Sequence, residues 1–292
     1  MNMPCDKGPL TDFVRNFTNR FEPISLDQLN AGAAMLERLD NKYIVSRGVL
    51  QDAIAPLSAK FDVLDINGVR CFAYDTCYFD DPDLRSYYDH HQGRRQRVKV
   101  RVRSYRDAGL SFVEVKLKDK RDATIKRRLA YQGDLFATLN DSALAHVDGS
   151  YRGLYGKAFE ANLQPVIEMS YRRMTLVAKV GGERMTIDSD IVFRADDQQR
   201  EVSSELFVIE TKSARGNGIA DKVLRLLHEH PVPGCSKYCI GMAALEKVNL
   251  VNRFLPAMRR LGVMPMRAHD APRLSAQKPL VAGLDRLLQR KK

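Results

Sequence analysis

The chain has 292 residues, of which 44% are hydrophobic and 28% are charged. These fractions are typical of folded globular proteins and exclude a collagen-like or fully disordered chain. No apolar run approaches the roughly eighteen residues of a transmembrane helix, and the N-terminus has no apolar signal-peptide core. The five cysteines contain no Cys-x-x-Cys pair, which indicates neither a disulfide framework nor a zinc ribbon. A cytoplasmic protein is therefore the expectation.

The net charge is strongly positive. Lys and Arg total 47 and Asp and Glu total 36, which gives a formal charge of +11. Such a charge favours an anionic partner through the summed field of the protein. Nucleic acid, an anionic membrane surface and small polyanions all fit the charge alone, so the arrangement of the bases has to distinguish them.

The predicted elements are many short strands and few helices. In chain order, helical periodicity covers 25–36, 49–58, an irregular stretch within 131–162, and 219–230, while 236–248 has the pattern of a strand or a helix edge. Strands with period two are predicted over 37–45, 61–66, 69–78, 96–105, 111–119, 125–130, 166–177, 184–193 and 206–212. About eight antiparallel strands indicate a closed barrel or a sandwich with flanking helices, in the α+β class.

The domain organisation predicted from this pattern is simple. Residues 1–24 are a lead-in, 25–250 form the main barrel domain, and 251–292 form a basic, partly disordered tail. Asn67-Gly68 and Gly181-Gly182 are typical two-residue hairpin loops. His90-His91 lies in a polar stretch and is expected in an exposed loop.

The polar faces of the predicted strands carry an unusual density of charge. Five strands share this property, through Arg38, Asp40 and Lys42; Lys99, Arg101 and Arg103; Glu114, Lys116 and Lys118; Arg184 and Asp188; and Glu210 and Lys212. For one strand, a solvated outer face is the ordinary explanation. Five strands of this kind favour a barrel whose lumen concentrates positive charge and binds a multiply negative ligand.

Carboxylates are interspersed among these bases. Asp40, Glu114, Asp188 and Glu210 either balance the positive charge or provide the hard oxygen ligands that Mg²⁺ and Mn²⁺ prefer. Phosphoryl transfer needs bases around phosphoryl oxygens and a divalent ion held by carboxylate, because its catalysis is positioning and charge stabilisation.

A set of motifs in a fixed order resembles the catalytic domain of the vacuolar transporter chaperone (VTC) family, a polyphosphate polymerase domain. The motifs are Asn41-Lys42-Tyr43, Thr76-Cys77-Tyr78-Phe79-Asp80-Asp81, Val100-Arg101-Val102-Arg103-Ser104-Tyr105, Phe112-Val113-Glu114-Val115-Lys116, Pro165-Val166 through Tyr171-Arg172-Arg173, Arg184-Met185-Thr186-Ile187-Asp188, Val208-Ile209-Glu210-Thr211-Lys212 and Ser236-Lys237-Tyr238. The resemblance implies the triphosphate tunnel metalloenzyme (CYTH-like) fold, an antiparallel β-barrel with a charged tunnel.

The resemblance also implies roles for individual residues. The resemblance implies catalytic, phosphate-binding roles for Lys42, Arg101, Arg103, Lys116, Arg173 and Lys237. It also implies that Arg184 is one of the basic residues that line the tunnel. The strand pattern adds Arg38, Lys118, Lys126 and Lys212 as substrate-binding candidates. Glu210 matches the family's metal-binding carboxylate, and Glu114 and Asp188 are further metal candidates. The implied reaction transfers the terminal phosphate of ATP to a growing polyphosphate chain with Mn²⁺ or Mg²⁺.

Several alternatives stay open. The related thiamine-triphosphatase and adenylate-cyclase branch begins with Glu-x-Glu-x-Lys, whereas this chain has Arg38-Leu39-Asp40-Asn41-Lys42, which favours the VTC branch. A triphosphatase or polyphosphatase of the same fold and a non-catalytic polyanion-binding module remain alternatives. No specific nucleic acid is expected, because no nucleic-acid motif accompanies the basic tail. A membrane-protein partner stays open, and the sequence does not set the oligomeric state.

Overall fold

The computed structural model of the protein describes residues 9–31, 39–119 and 123–265. The strands in these ranges are β1 (Pro23–Ile24), β2 (Leu39–Ser46), β3 (Phe61–Leu64), β4 (Phe72–Asp80), β5 (Arg97–Tyr105), β6 (Leu110–Lys118), β7 (Thr124–Ala130), β8 (Gln164–Ala178), β9 (Arg184–Ala195), β10 (Gln198–Glu201) and β11 (Leu206–Ser213). The helices are α1 (Pro9–Thr18), α2 (Leu26–Ala31), α3 (Arg47–Asp52), α4 (Ile54–Ser58), α5 (Arg85–His91), α6 (Asp141–Tyr155), α7 (Ile219–Leu226), α8 (Lys237–Ala244) and α9 (Leu255–Leu261).

The strands form one sheet that is almost entirely antiparallel. Its main order is β2-β11-β9-β8-β4-β5-β6-β7, with β3 added to β8 and β10 added to β9, and only the short β1 runs parallel to its neighbour β3. Within the described ranges, no pairing joins the end strands β2 and β7. The antiparallel architecture with flanking helices is therefore confirmed, whereas the prediction of a closed barrel was wrong.

The physical reason for the missing closure lies at β7. Three consecutive bases, Lys126, Arg127 and Arg128, occupy this end strand, and most of its residues are exposed. Charged side chains on an edge strand oppose pairing with a further strand. Alternating polarity in the sequence specifies which face of a strand is buried, and it leaves open whether the two end strands meet.

The sheet is nevertheless strongly curved. Six strand spacings separate β2 from β6, so a flat sheet would place these strands about 29 Å apart. The charge of Lys42 on β2 still acts on Lys116 on β6 and on Lys99 on β5. The face that carries these lysines is therefore the inside of a groove, and we call it the inner face.

The outer face of the sheet is covered by helices. Tyr43, Met174 and Ile187 belong to one apolar cluster with residues of α1, α4 and α7. Val100, Val113 and other outer-face residues of β5 and β6 form a second cluster with α6. The one-sided charge of the strands follows from this packing, because every second residue is buried under a helix.

One end of the inner face is also apolar. Ile44 and Val208 lie two positions from Lys42 and Glu210, respectively, on the same strand faces. Both belong to a third apolar cluster together with residues of α8 and α9. These helices therefore cover one end of the groove. Helix α9 lies beyond residue 250, where the sequence placed the start of the tail, and the residues after 265 lie outside the described ranges.

One local prediction was wrong, and one open alternative is decided in favour of a helix. His90 and His91 lie in α5, where His90 is partly buried and its ring is 5.8 Å from the ring of Phe254. The segment 236–248 contains α8, whose N-cap Ser236 accepts a hydrogen bond from the amide of Cys239. Both helices are short, so their sequences are too brief for helical periodicity to distinguish them.

Candidate active site

The strand register places the predicted bases on one continuous inner face. Lys42 lies opposite Glu210, and Arg101 lies opposite Glu114. The inner face carries Asp40 and Lys42 on β2, Glu210 and Lys212 on β11, Arg184 and Asp188 on β9, Arg173 on β8, Arg101 and Arg103 on β5, Glu114, Lys116 and Lys118 on β6, and Lys126 on β7. Lys237 reaches this face from the first turn of α8. Arg38 lies outside the described residues.

Glu114 is a buried counter-charge for the bases of β5 and β7. Its Oε2 accepts a hydrogen bond from Arg101 Nε at 2.7 Å and lies 3.8 Å from Arg103 Nη1, and its Oε1 pairs with Lys126. Desolvation raises the pKa of Glu114, but these three positive charges outweigh it and hold the pKa below its usual range. Glu114 is therefore ionised and fixes the orientation of Arg101.

Asp188 is likewise a buried counter-charge, in this case for the bases of β8 and α8. Arg173 donates two hydrogen bonds to its carboxylate, at 2.6 and 2.8 Å, and Lys237 Nζ lies 2.5 Å from Oδ2. Desolvation raises the pKa of Asp188, but Arg173 and Lys237 together lower it below its usual range. Because Lys237 begins α8, this carboxylate also ties the N-terminus of the helix to the sheet.

Stacked tyrosines lie beside these guanidinium groups. The rings of Tyr74 and Tyr171 are 5.3 Å apart and almost parallel. The Arg103 guanidinium lies 5.6 Å from the Tyr74 ring, and the Arg173 guanidinium lies 5.3 Å from the Tyr171 ring. Guanidinium groups stack well on aromatic faces, which leaves their N–H groups directed outward from the rings. We call Arg101, Arg103 and Arg173 the arginine cluster.

Three buried polar atoms near the arginine cluster lack a hydrogen-bond partner in the described part of the chain. They are Arg103 Nε, the Tyr171 hydroxyl and Thr76 Oγ1. Buried polar groups are normally satisfied, so these atoms are available to a ligand or to water. Tyr171 was missed at the sequence level, although its position two residues before Arg173 on the same strand face was a usable signal.

Lys42 and Lys116 differ from the arginines because neither has a carboxylate within ion-pair distance among the described residues. Lys116 keeps contact with solvent inside the groove. Desolvation, followed by the charges of Lys42 and Lys99, lowers the pKa of Lys116 to about 7. This part of the groove therefore carries lysines that form no ion pair within the described part of the chain.

Asp40 and Glu210 converge on one ammonium group. Lys212 Nζ pairs with Glu210 and lies 3.4 Å from Asp40 Oδ2. Two carboxylates around one cation provide the hard oxygen donors that a divalent ion prefers. Substrate phosphates would supply further ligands of such an ion. Glu114 and Asp188 match it less well, because each is held by two or more bases. No group of three or more His, Cys, Asp or Glu residues suited to a metal occurs in 9–31, 39–119 and 123–265.

Two further substrate-binding candidates lie towards the edges of this arrangement. Arg184 donates a hydrogen bond to the Leu29 carbonyl at 2.8 Å, which ties β9 to α2. Lys118 lies on β6 opposite Arg97 and Thr124, further along the strand than Lys116.

Asp221 on α7 is a positioning residue that the sequence did not reveal. Its Oδ1 accepts hydrogen bonds from Asn41 Nδ2 at 2.9 Å, Tyr43 OH at 2.7 Å and Thr211 Oγ1 at 2.7 Å. These three residues alternate with Lys42 and with Glu210 on paired strands. The motifs Asn41-Lys42-Tyr43 and Glu210-Thr211-Lys212 therefore anchor on the outer side and direct their charged residues into the groove.

A curved antiparallel sheet with a basic inner face and buried counter-charges defines a groove for anionic ligands. The VTC domain family matches residues 37–246, which is most of the chain. The chain belongs to the VTC domain family.

The solved structures that match this chain share little sequence with it. A candidate adenylate cyclase from Bacillus halodurans is 11% identical, covers 75% of this chain and 97% of its own, and has a TM-score of 0.40. A candidate adenylyl cyclase from Hippeastrum, described as having a dominant triphosphatase activity, is 14% identical, covers 70% and 95%, and has a TM-score of 0.42. A search of curated proteins found no match. The family assignment rests on the family match alone.

None of the helices in the described ranges combines the length and the apolar character that a membrane span requires.

Proposed function

We propose that the chain is a metal-dependent phosphotransferase that adds the terminal phosphate of ATP to a growing polyphosphate chain bound in the groove. The observation that carries the proposal is the inner face itself: the arginine cluster is held by buried carboxylates, and beside it Lys42 and Lys116 have no carboxylate within ion-pair distance among the described residues. Membership of the VTC domain family supports the same activity.

The arginine cluster would bind phosphoryl oxygens. Guanidinium groups donate paired hydrogen bonds to such oxygens, and these are among the strongest in proteins. Glu114 and Asp188 already hold Arg101 and Arg173 in place, so little reorganisation is needed when charge develops on the transferred group. Lys237 would act from the opposite side, at the N-terminus of α8.

Lys42 and Lys116 would neutralise charge that the arginines do not reach. Desolvation and the charges of Lys42 and Lys99 lower the Lys116 pKa; the negative charge of a bound polyanion would oppose them, so Lys116 would be fully protonated in the complex. Phosphoryl transfer has little covalent chemistry for the protein to perform, so two added positive charges at the reacting phosphates contribute directly.

Asp40 and Glu210 are the residues that would hold a divalent ion. When bound, the ion would neutralise phosphate oxygens and orient them. Lys212 lies between the two carboxylates in the free protein and would move aside or bind a phosphate oxygen.

Hydrolysis is the alternative that one observation favours. The groove is open between β2 and β7 in the described residues, which gives water a route to the bound phosphates. In that case water would accept the phosphoryl group in place of the growing chain.

Incubation of the purified protein with ATP and MnCl₂, followed by ³¹P NMR, tests the proposal. We expect a growing signal from internal phosphates with a matching amount of ADP, and its loss on addition of EDTA. Orthophosphate without chain growth would replace the proposal with hydrolysis, and unchanged ATP would leave a binding module.

A pair of matched variants tests the site. Lys116→Ala should reduce the rate by about 100-fold, the scale of one lost transition-state contact. Lys60→Ala, at an exposed lysine outside the groove, should leave the rate unchanged. Equal rates in both variants would contradict the proposed site.

A further inference from the structure

The register of β5, β6 and β7 places three lysines in one row across the sheet. Lys99 lies directly opposite Lys116, and Lys116 lies directly opposite Lys126. Like charges in directly opposed positions destabilise a sheet, and each such pair would normally be replaced or neutralised. In the next row the same strands carry Arg101, Glu114 and Arg128, so an acid separates the bases there.

The three lysines are not equally neutralised. Lys126 reaches diagonally to Glu114 and pairs with it. Lys99 and Lys116 have no carboxylate partner in the described part of the chain. Lys42 adds a third unneutralised ammonium group from the other side of the groove, and its charge acts on both.

Lys99 is held at the end of the groove that α8 covers. Its Nζ donates to Ser236 Oγ at 2.9 Å, lies 3.5 Å from Cys239 Sγ, and is 5.4 Å from the centre of the Tyr238 ring. These neighbours position the ammonium group without balancing its charge. Desolvation lowers the pKa of Lys99 and the charge of Lys42 adds to it, Cys239 and Tyr78 oppose both, and none of these opposing groups is a carboxylate.

We propose that Lys99 contacts the phosphate chain directly and forms, with Lys42 and Lys116, a lysine subsite beside the arginine cluster, an inference that rests on the proposed function of the groove. The ligand class is a condensed phosphate with several linked groups. Lys99 and Arg101 are two positions apart, which is about 7 Å along the strand. A chain of linked phosphates spans both rows, whereas orthophosphate favours one of them.

The competing explanation is structural, since the bond from Lys99 to Ser236 also holds the N-terminus of α8. The two explanations differ in three measurable properties. A ligand contact predicts weaker binding, dependence on the positive charge at this position, and no loss of stability in the ligand-free protein. A structural bond predicts a lower melting temperature without any specific loss of affinity.

Isothermal titration calorimetry with sodium tripolyphosphate tests the proposal on the full chain. Lys99→Met should weaken binding about ten-fold, the lower range for a lost hydrogen bond to a charged group. Lys99→Arg should keep most of the affinity, and Lys60→Met should behave as the wild type. The difference in affinity between Lys99→Met and the wild type should be smaller for orthophosphate than for tripolyphosphate. The melting temperature of ligand-free Lys99→Met should not fall, because the substitution removes repulsion with Lys116.

The outcomes separate this inference from the proposed function. If Lys99→Met binds tripolyphosphate as the wild type does while Arg103→Ala binds weakly, the role of Lys99 is overturned and the groove remains a phosphate site. Equal losses in Lys99→Met and Lys99→Arg would also overturn it, because the charge would then be irrelevant. Absence of binding by the wild type would overturn both.

Discussion

The arginine cluster and the lysine subsite lie next to each other on the inner face, yet the protein treats their charges in opposite ways. The arginines are paired with the buried carboxylates of Glu114 and Asp188 and stacked on tyrosine rings. Lys42 and Lys116 have no such partner among the described residues, and Lys99 is held by a hydroxyl, a thiol and a ring. One region is a rigid, balanced binding surface and the other stores repulsion.

The difference teaches how a groove can favour a long polyanion over a single anion. A balanced arginine cluster provides oriented N–H donors at little cost in folding stability. An unbalanced lysine subsite destabilises the free protein and is relieved only when a ligand supplies negative charge. Binding energy is therefore concentrated on ligands that extend over both regions.

The largest expected effect comes from removing a carboxylate that neutralises the arginine cluster. Asp188→Asn would leave Arg173 and Lys237 without their buried counter-charge, and such a loss costs about 3 kcal/mol or more. Urea unfolding should show this decrease in the free energy of unfolding, whereas Asp196→Asn, at an exposed site, should change it little. Tripolyphosphate should restore part of the loss by mass action. A decrease below about 1 kcal/mol would contradict the assignment of Asp188 as a buried counter-charge.

The next effect concerns pH and the lysine subsite. In the folded protein the pKa of Lys116 is about 7, below its ordinary value of 10.5, so tripolyphosphate binding should take up a proton above pH 7. The affinity should therefore fall as the pH rises from 7 to 9, by at most about ten-fold per unit. Calorimetry in buffers with different ionisation enthalpies measures the proton uptake.

The same shift predicts the sign of a stability effect. Between pH 7 and 10.5 the unfolded chain binds a proton at Lys116 that the folded chain has released, so the contribution of this group to stability rises with pH. Lys116→Met should abolish this contribution and reduce the proton uptake, the remainder coming from groups such as Tyr78, whose pKa is about 8. A pH-independent affinity in the wild type would sink the comparison, because the lysines would then be no less balanced than the arginines.

Most of this architecture could be predicted from the sequence, and the parts that could not share a physical cause. Alternation along each strand identified the inner-face residues, since period two needs only local information. This local alternation does not reveal the strand register or the contacts between residues that are far apart in the sequence. The opposition of Lys99 and Lys116, the pairing of Asp188 with Lys237, and the three bonds to Asp221 each join segments that meet only in the folded chain.

A smaller effect is expected at the carboxylates of β2 and β11. Glu210→Gln should raise the Mn²⁺ concentration needed for half-maximal activity by about ten-fold, because one of two oxygen donors loses its charge. Glu246→Gln, at an exposed position, should leave the requirement unchanged. An equal metal requirement in both variants would exclude Glu210 as a ligand and leave it as the ion-pair partner of Lys212.

The smallest effect is spectroscopic and reports on the border between the two regions. The Tyr78 hydroxyl accepts a hydrogen bond from Arg101 at 2.7 Å. Desolvation raises its pKa, but the charges of Arg101, Arg103 and Lys99 outweigh it and lower the pKa to about 8. The chain has eleven tyrosines and no tryptophan, so phenolate absorbance near 295 nm can be followed without interference. One tyrosine should titrate near pH 8 in the wild type and none in Tyr78→Phe, and Lys99→Met should move this titration upward. If the titration remains in Tyr78→Phe, the positive field has been assigned to the wrong part of the groove.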